Sequence, residues 1–123
     1  MRIIKFRFWD KDLKNMFFRK PATYDLSHPR IVPMQFTGFT DKNGKEIYDG
    51  DILSDKVETD QGIVKSKQQV FWSQDFGCWS LDNSYNQDKT FSTSLWLELN
   101  DFKYEVVGNI YEDKTFKKQT ELL

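Results

Sequence analysis

The sequence predicts an all-β protein, namely an SH3-like small barrel preceded by an N-terminal β-hairpin arm. Three glycines, one in an Asn-Gly pair and one in a Gly-Asp step, fall within residues 34–53, which is typical of tight turns between short strands. Several segments alternate apolar and polar residues, as half-buried strands do. Aromatic residues make up 16% of a chain that is only 38% hydrophobic, which indicates a small core of large rings. A two-sheet sandwich is the alternative architecture.

The first twenty residues predict the hairpin arm. Residues 3–9 alternate as a strand, residues 10–12 form a turn, and residues 16–19 return as the second strand. An isolated hairpin is marginal in water, so we expect this one to pack on the rest of the domain or on another subunit. The second option makes the arm a candidate for homo-oligomerisation, through Lys5, Arg7, Trp9 and Phe17.

A linker is predicted between the arm and the barrel. Residues 21–33 contain all three prolines of the chain. Proline removes a backbone donor and restricts the residue before it to extended geometry. The predicted division is therefore an arm with its linker over residues 1–33 and a small β-barrel domain over residues 34–123.

Asn43-Gly44 predicts a two-residue hairpin turn, because such a turn needs positive φ at both positions. In that register Phe39 pairs with Tyr48, but two pairs of like charges also face each other. We therefore expect a short or splayed hairpin.

The rest of the chain predicts further strands, two loops and two helical segments. Residues 94–99 fit either a strand, through their alternating leucines, or a short helix or 3₁₀ turn after Ser94. The polar middle of a long strand predicted over 62–72 fits a bend or bulge, or the outer half of two strands. The other assignments are a turn over residues 54–60, a strand over 78–81, a polar loop over 82–93, a strand over 103–110 and a short C-terminal helix over 115–122.

Three blocks of the sequence resemble the YopX family of phage and prophage proteins. They are Ile-Lys-Phe-Arg-Phe-Trp-Asp at residues 4–10, the turn-rich stretch at residues 34–52 and Glu-Val-Val-Gly-Asn-Ile-Tyr-Glu at residues 105–112. The blocks come in the family's order, and Asp113-Lys114 stands where the family often has Asn-Pro. The resemblance implies a β-rich, phage-encoded protein in a bacterial cytoplasm. It implies no activity and no catalytic residues.

Charge and cysteine usage fit this interpretation. The net charge of −1 argues against a general polyanion binder. Residues 1–33 hold eight Lys or Arg against three Asp, whereas residues 34–123 hold ten against sixteen Asp or Glu. Dispersed solvated charges, a basic arm for nucleic acid and head-to-tail self-association all fit that asymmetry. The chain has one cysteine and no apolar run of membrane-spanning length, so we expect a cytoplasmic protein with no membrane partner.

No pattern of catalytic residues emerges from the sequence. Nucleophile motifs, a P-loop and a dinucleotide fingerprint are all lacking. The calcium-loop pattern that starts at Asp41 fails at its fifth, sixth and twelfth positions. His28 fits an inert loop residue, Cys78 a buried structural thiol, and Asp49 and Asp51 the shaping of a turn. We therefore predict a protein that is not an enzyme and has no metal site and no cofactor.

A binding surface is the remaining prediction. Trp72 and Trp79 lie on segments predicted to be adjacent strands, near Lys65 and Lys67. Small barrels bind single-stranded nucleic acid by stacking bases on exposed rings in a basic groove, but the same rings fit a core position. The sequence thus favours a non-enzymatic accessory protein that binds itself or a host or phage protein. A single-stranded nucleic-acid-binding module is the alternative.

Overall fold

The computed structural model describes residues 3–22, 26–82 and 92–112, without the side chains of residues 57–59, 64–66 and 92. This part of the chain forms nine strands and a short helix, and the all-β prediction is confirmed. In chain order the elements are β1 (Phe6–Asp10), β2 (Asn15–Phe18), β3 (Ile31–Thr40), β4 (Glu46–Tyr48), β5 (Asp51–Thr59), β6 (Gly62–Ser73), β7 (Cys78–Asp82), β8 (Ser92–Ser94), α1 (Leu95–Asp101) and β9 (Tyr104–Asn109).

The strands form two antiparallel sheets. The first has four strands in the order β2-β1-β3-β4, and the second has five in the order β8-β7-β6-β5-β9. The sheets curl and form half of a barrel. None of the helical structure among the described residues is long and apolar enough to cross a membrane.

The predicted N-terminal hairpin is present and is part of the first sheet. β1 pairs with β2 on one side, with Phe8 opposite Phe17. On its other side β1 pairs with β3 along its whole length. β3 spans Ile31–Thr40 and therefore crosses the boundary that the sequence predicted at position 33. Whether residues 1–33 and 34–123 are separate domains stays a prediction.

The turn between β3 and β4 is present, but its predicted register is wrong. Tyr48 lies opposite Phe36 rather than Phe39, and the ladder shifts between Phe36 and Thr40. The physical reason is that the loop is longer than the Asn-Gly pair. Asp41 Oδ1 accepts the backbone N–H groups of Asn43 and Lys45 at 2.8 and 2.9 Å, so the loop closes around the Asp41 side chain.

In and beside the second sheet, the prediction for residues 54–60 is wrong, and one of the two alternatives for residues 94–99 is correct. Residues 54–60 are not a turn, because β5 continues to Thr59 and pairs with β6 up to Gly62. β6 is continuous through its polar middle. The helical interpretation of residues 94–99 is correct, since α1 spans Leu95–Asp101. The C-terminal helix over residues 115–122 and most of the loop over 82–93 lie outside the described residues.

The two sheets bury different kinds of side chain. Four buried rings belong to the first sheet, and the central cluster near the second sheet is largely aliphatic. The predicted core of rings therefore describes the first sheet better than the second, where Tyr104 is the one ring of the buried cluster. The rings are Phe8, Trp9, Phe36 and Tyr48, and the cluster contains Ile47, Leu53, Val70, Leu81, Leu95 and Tyr104.

Candidate binding surface

A buried ion pair links the two sheets beneath the candidate surface. Arg7 Nη2 on β1 lies 2.7 Å from Asp51 Oδ1 at the start of β5, and the two side chains are only 8% and 1% exposed. Asp51 Oδ2 also accepts the backbone N–H of Tyr48 at 2.7 Å. Burial raises the pKa of Asp51, and the charge of Arg7 opposes that rise. Asp51 therefore shapes the β4–β5 turn, as the sequence predicted.

Asp49 lies in the same turn and connects the ion pair to the surface. Its carbonyl oxygen accepts a hydrogen bond from Arg7 Nη2 at 3.4 Å, and its N–H donates to the carbonyl of Gln35 at 2.9 Å. Burial raises the pKa of the Asp49 carboxyl, and the nearby Arg7 charge partly opposes this. The backbone of Asp49 is thus held between the first sheet and the ion pair.

Trp72 and Trp79 form the centre of the candidate surface. They stand directly opposite each other on β6 and β7, so their side chains share one face of the sheet. Their ring centroids are 5.2 Å apart and the ring planes meet at 77°. Trp72 is 45% exposed and Trp79 is half-buried. The pair therefore presents two indole planes at nearly a right angle.

Two grooves meet at this tryptophan pair, and both include Trp72 and Trp79 in their lining. The first, which we call the Asp49 groove, has a volume of about 450 Å³ and is completed by Phe6, Pro33, Gln35 and Asp49. The second, the Trp96 groove, has a volume of about 310 Å³ and is completed by Thr37, Phe39, Gly77, Cys78, Ser94 and Trp96. We call the two grooves together the tryptophan face.

Trp96 is the residue of this face that the sequence interpretation missed. It lies on α1 and is 58% exposed, whereas its neighbour Leu95 is fully buried. The signal was present in the helical interpretation of residues 94–99, because a helix that buries Leu95 and packs Leu99 against the same core turns the intervening Trp96 away from it.

The structure does not bring the predicted lysines to the tryptophan pair. Successive residues of a strand point to opposite faces, so Lys67, an odd number of positions from Trp72 on the continuous β6, faces the other side of the sheet. Lys65 stands opposite Lys56 in the β5–β6 ladder, and its side chain is outside the described part. The basic groove expected around the two rings is therefore not assembled by Lys67.

The four residues of the predicted self-association arm all contact this chain. Arg7 and Trp9 are buried. Lys5 forms an ion pair with Glu46 and lies 4.7 Å from the ring centroid of Phe36. The remaining ring contacts are Trp9 stacked on Tyr111 at 5.7 Å and Phe17 stacked on Phe8 at 5.3 Å.

Cys78 and His28 lie in ordinary structural settings. Cys78 is half-buried on β7, less buried than predicted, with Sγ 3.6 Å from Ser80 Oγ. His28 Nδ1 accepts the backbone N–H of Arg30 at 3.2 Å in the turn before β3. Within residues 3–22, 26–82 and 92–112, no group of three His, Cys, Asp or Glu side chains is arranged to hold a metal ion.

Asp41 joins distant parts of the sequence. Its Oδ1 closes the loop after β3, and its Oδ2 accepts the backbone N–H of Val106 on β9 at 2.9 Å. The N–H of Lys42 donates to the carbonyl of Tyr104 at 3.0 Å. The loop after β3 is therefore fixed to the edge strand of the second sheet.

A family model described as YopX protein matches residues 19–115. The chain belongs to the YopX family. The match confirms the resemblance found in the sequence, and the structure explains how the three resembling blocks fit together. Arg7 of the first block binds Asp51 of the central block, and Asp41 of the central block binds Val106 of the third.

The crystal structure of protein EF1440 from Enterococcus faecalis is similar to this YopX-family chain. The TM-score is 0.61 at 24% sequence identity, over 92% of this chain and 96% of that chain. The similarity concerns the fold and covers both sheets. The search of curated proteins gave no match.

Proposed function

We propose that this YopX-family chain is a non-enzymatic binding protein that docks a partner protein on the tryptophan face. The observation that carries the proposal is the exposure of Trp72 and Trp96, 45% and 58%, around grooves that meet at one tryptophan pair. Contiguous exposed apolar surface marks interaction sites on soluble proteins. Tryptophan is among the side chains that contribute most to protein–protein binding energy.

The family supplies the biological context of the proposal. The YopX resemblance supports a phage or prophage accessory protein that acts in the cytoplasm of its bacterial host, where the partner is a host or phage protein.

The carboxylates of Asp41 and Asp51 are engaged by backbone N–H groups and by Arg7. These contacts support a structural role for both side chains.

Single-stranded nucleic acid receives less support as the ligand. Among the described residues that line the two grooves there is no Lys or Arg. Proteins that bind single strands combine stacking rings with a positively charged groove. The one ionisable carboxyl group in the lining, that of Asp49, would repel phosphate when ionised.

The test is affinity capture from extract of host cells that carry the phage, split into nuclease-treated and untreated halves. The tagged wild type is compared with Trp72→Ala, Trp96→Ala and the control Ile63→Ser. Ile63 is 64% exposed at the far end of the β5–β6 hairpin. The proposal expects a protein that the wild type and Ile63→Ser retain in both halves and that both tryptophan variants lose.

Equal retention by all four proteins would contradict docking on this face. Recovery that nuclease abolishes would favour the nucleic-acid alternative. A thermal melt of each variant separates lost binding from lost folding, and we expect Trp96→Ala to melt like the wild type because its ring is largely solvent-exposed.

Self-association through β2 is a second candidate, supported by a separate observation. β2 is an outer strand of the first sheet, and its last residue, Phe18, is 64% exposed. Phe18 and Ile4 border a groove of about 380 Å³ that Arg19 and Lys20 also line. An edge strand with exposed apolar side chains is a template for pairing with another copy of the chain.

A further inference from the structure

We propose that the Asp49 groove binds a cationic side chain, an arginine or a lysine, of the partner protein. This inference rests on the proposed function and specifies the chemistry of the partner at that site. An apolar contact alone would suit both grooves of the tryptophan face. The lining of the Asp49 groove differs because it includes a carboxylate.

The walls of the Asp49 groove suit a cation. Trp72 and Trp79 meet at 77°, so they offer two nearly perpendicular indole planes, and Phe6 supplies a third ring. The face of an aromatic ring carries negative potential and attracts an ammonium or guanidinium group within about 6 Å of its centroid, most strongly for tryptophan. Several rings around one pocket are the usual arrangement for binding alkylammonium groups.

Asp49 adds the complementary charge. Among the described residues that line the groove it is the one acidic side chain, and the others are Phe6, Pro33, Gln35, Trp72 and Trp79, none of them cationic. Arg7 approaches the carbonyl oxygen of Asp49, but its shortest contact, at 2.7 Å, is to the Asp51 carboxylate. The Asp49 carboxylate accepts a hydrogen bond from the Gly50 N–H and lies near the charge of Arg7, which leaves further lone pairs for a cation that enters from solvent.

The environment of Asp49 favours such a ligand. Burial raises its pKa because the anion is poorly solvated there, and an incoming cation would stabilise the anionic form. The hydrogen bond from the Asp49 N–H to the Gln35 carbonyl holds the residue at the groove, so little ordering is needed on binding.

In the neighbouring Trp96 groove, the lining residues that the structure describes include no ionisable side chain other than the Cys78 thiol. It is suited to an apolar side chain. A partner segment that carries a cationic residue close to an apolar one would fill both grooves at once. The predicted recognition element is thus a basic-apolar segment rather than an acidic one.

The test uses two small probes of nearly the same shape, N-acetylarginine amide and N-acetylcitrulline amide, which differ in charge. Binding to the full chain is followed by NMR through the indole N–H signals of Trp72 and Trp79. We expect arginine to bind about 2- to 30-fold more tightly than citrulline, which is the range that cation–π energies imply. Asp49→Asn should reduce this preference, and the control Ile63→Ser, at the exposed far end of the β5–β6 hairpin, should keep it.

Equal binding of the two probes, or no shift of the indole signals with the arginine probe, would overturn the inference. The comparison of probes is made on the wild type first, so it does not depend on how Asp49→Asn folds. If the probes show no charge preference but captured protein is still lost with Trp96→Ala, the inference fails and the proposed function stands. If a charge preference is found but no protein is captured, the proposed function fails instead.

Discussion

Arg7 Nη2 lies 2.7 Å from Asp51 Oδ1, and this ion pair connects an inner strand of the first sheet to the first residue of β5 in the second. The same guanidinium reaches the carbonyl of Asp49 and lies 4.9 Å from the ring centroid of Tyr48. One side chain therefore fixes the β4–β5 turn and, through it, the acidic wall of the Asp49 groove.

Loss of one partner of this ion pair should destabilise the fold strongly. Arg7→Met would leave the Asp51 carboxylate buried without its counter-ion, and breaking such a pair costs about 3–5 kcal/mol. The matched control is Lys5→Met, which removes a pair with Glu46 whose side chains are 41% and 40% exposed. Exposed pairs contribute only about 0–1 kcal/mol. Urea unfolding measures the loss of stability in each variant. Equal losses in Arg7→Met and Lys5→Met would contradict this prediction.

Asp41 should make the stability of the fold depend on pH. Burial alone would raise its pKa, but the backbone N–H groups of Val106, Lys45 and Asn43 outweigh this and hold the pKa below the ordinary 3.8. The folded state therefore binds the proton less readily than the unfolded state. The resulting stabilisation is present above about pH 4 and is lost as pH falls through the lowered pKa.

Asp41→Asn measures this contribution directly. We expect the variant to be less stable than the wild type by about 1–3 kcal/mol at pH 7, the cost of leaving a buried donor such as the Val106 N–H poorly paired. The difference in the free energy of unfolding between wild type and variant should be smaller at pH 3, where the wild-type carboxylate is also becoming protonated. A gap that is the same at both pH values would contradict the assignment. Asp75→Asn, in the exposed turn before β7, is the control.

Self-association through β2 predicts a charge-sensitive oligomer. Phe18→Lys would place a cation on the exposed edge beside Arg19 and Lys20, and we expect it to weaken association about tenfold or more, equivalent to about 1.4 kcal/mol. Leu13→Lys, in the turn between β1 and β2, is the control. Sedimentation equilibrium checks the result, and a monomeric wild type would contradict this candidate. Deletion of residues 1–20 is unsuitable because it also removes β1 and Arg7.

The sequence was informative wherever structure is decided locally. Asn43-Gly44 marked a real turn. The alternation of residues 3–9 and the β-branched and aromatic residues of 62–72 marked real strands. The register of the β3–β4 pair could not be predicted, because the Asp41 side chain closes the loop and binds Val106, which is 65 positions away. Residues 54–60 were misassigned because a polar stretch can remain a strand when a neighbouring strand pairs with it. β6 pairs with β5 up to Thr59, whereas β9 pairs with it only up to Asp55.

The candidate site was predictable in part. Trp72 and Trp79 were expected on adjacent strands, and they are cross-strand partners. The separation of Lys67 from Trp72 was already readable from the sequence, since an odd spacing along a continuous strand places two side chains on opposite faces. The burial of Arg7 was not readable, because it depends on Asp51 and on the second sheet.

Docking of a partner on the tryptophan face is tested most directly by site-specific photo-crosslinking in host cells. A benzophenone amino acid placed at Phe76, an exposed residue next to Gly77 of the Trp96 groove, is compared with the same amino acid at Ile63, which is exposed far from the face. We predict a defined crosslinked protein from position 76 that is absent from position 63 and is lost when Trp72→Ala is added. The same crosslinks from both positions, or none from position 76, would contradict the proposal.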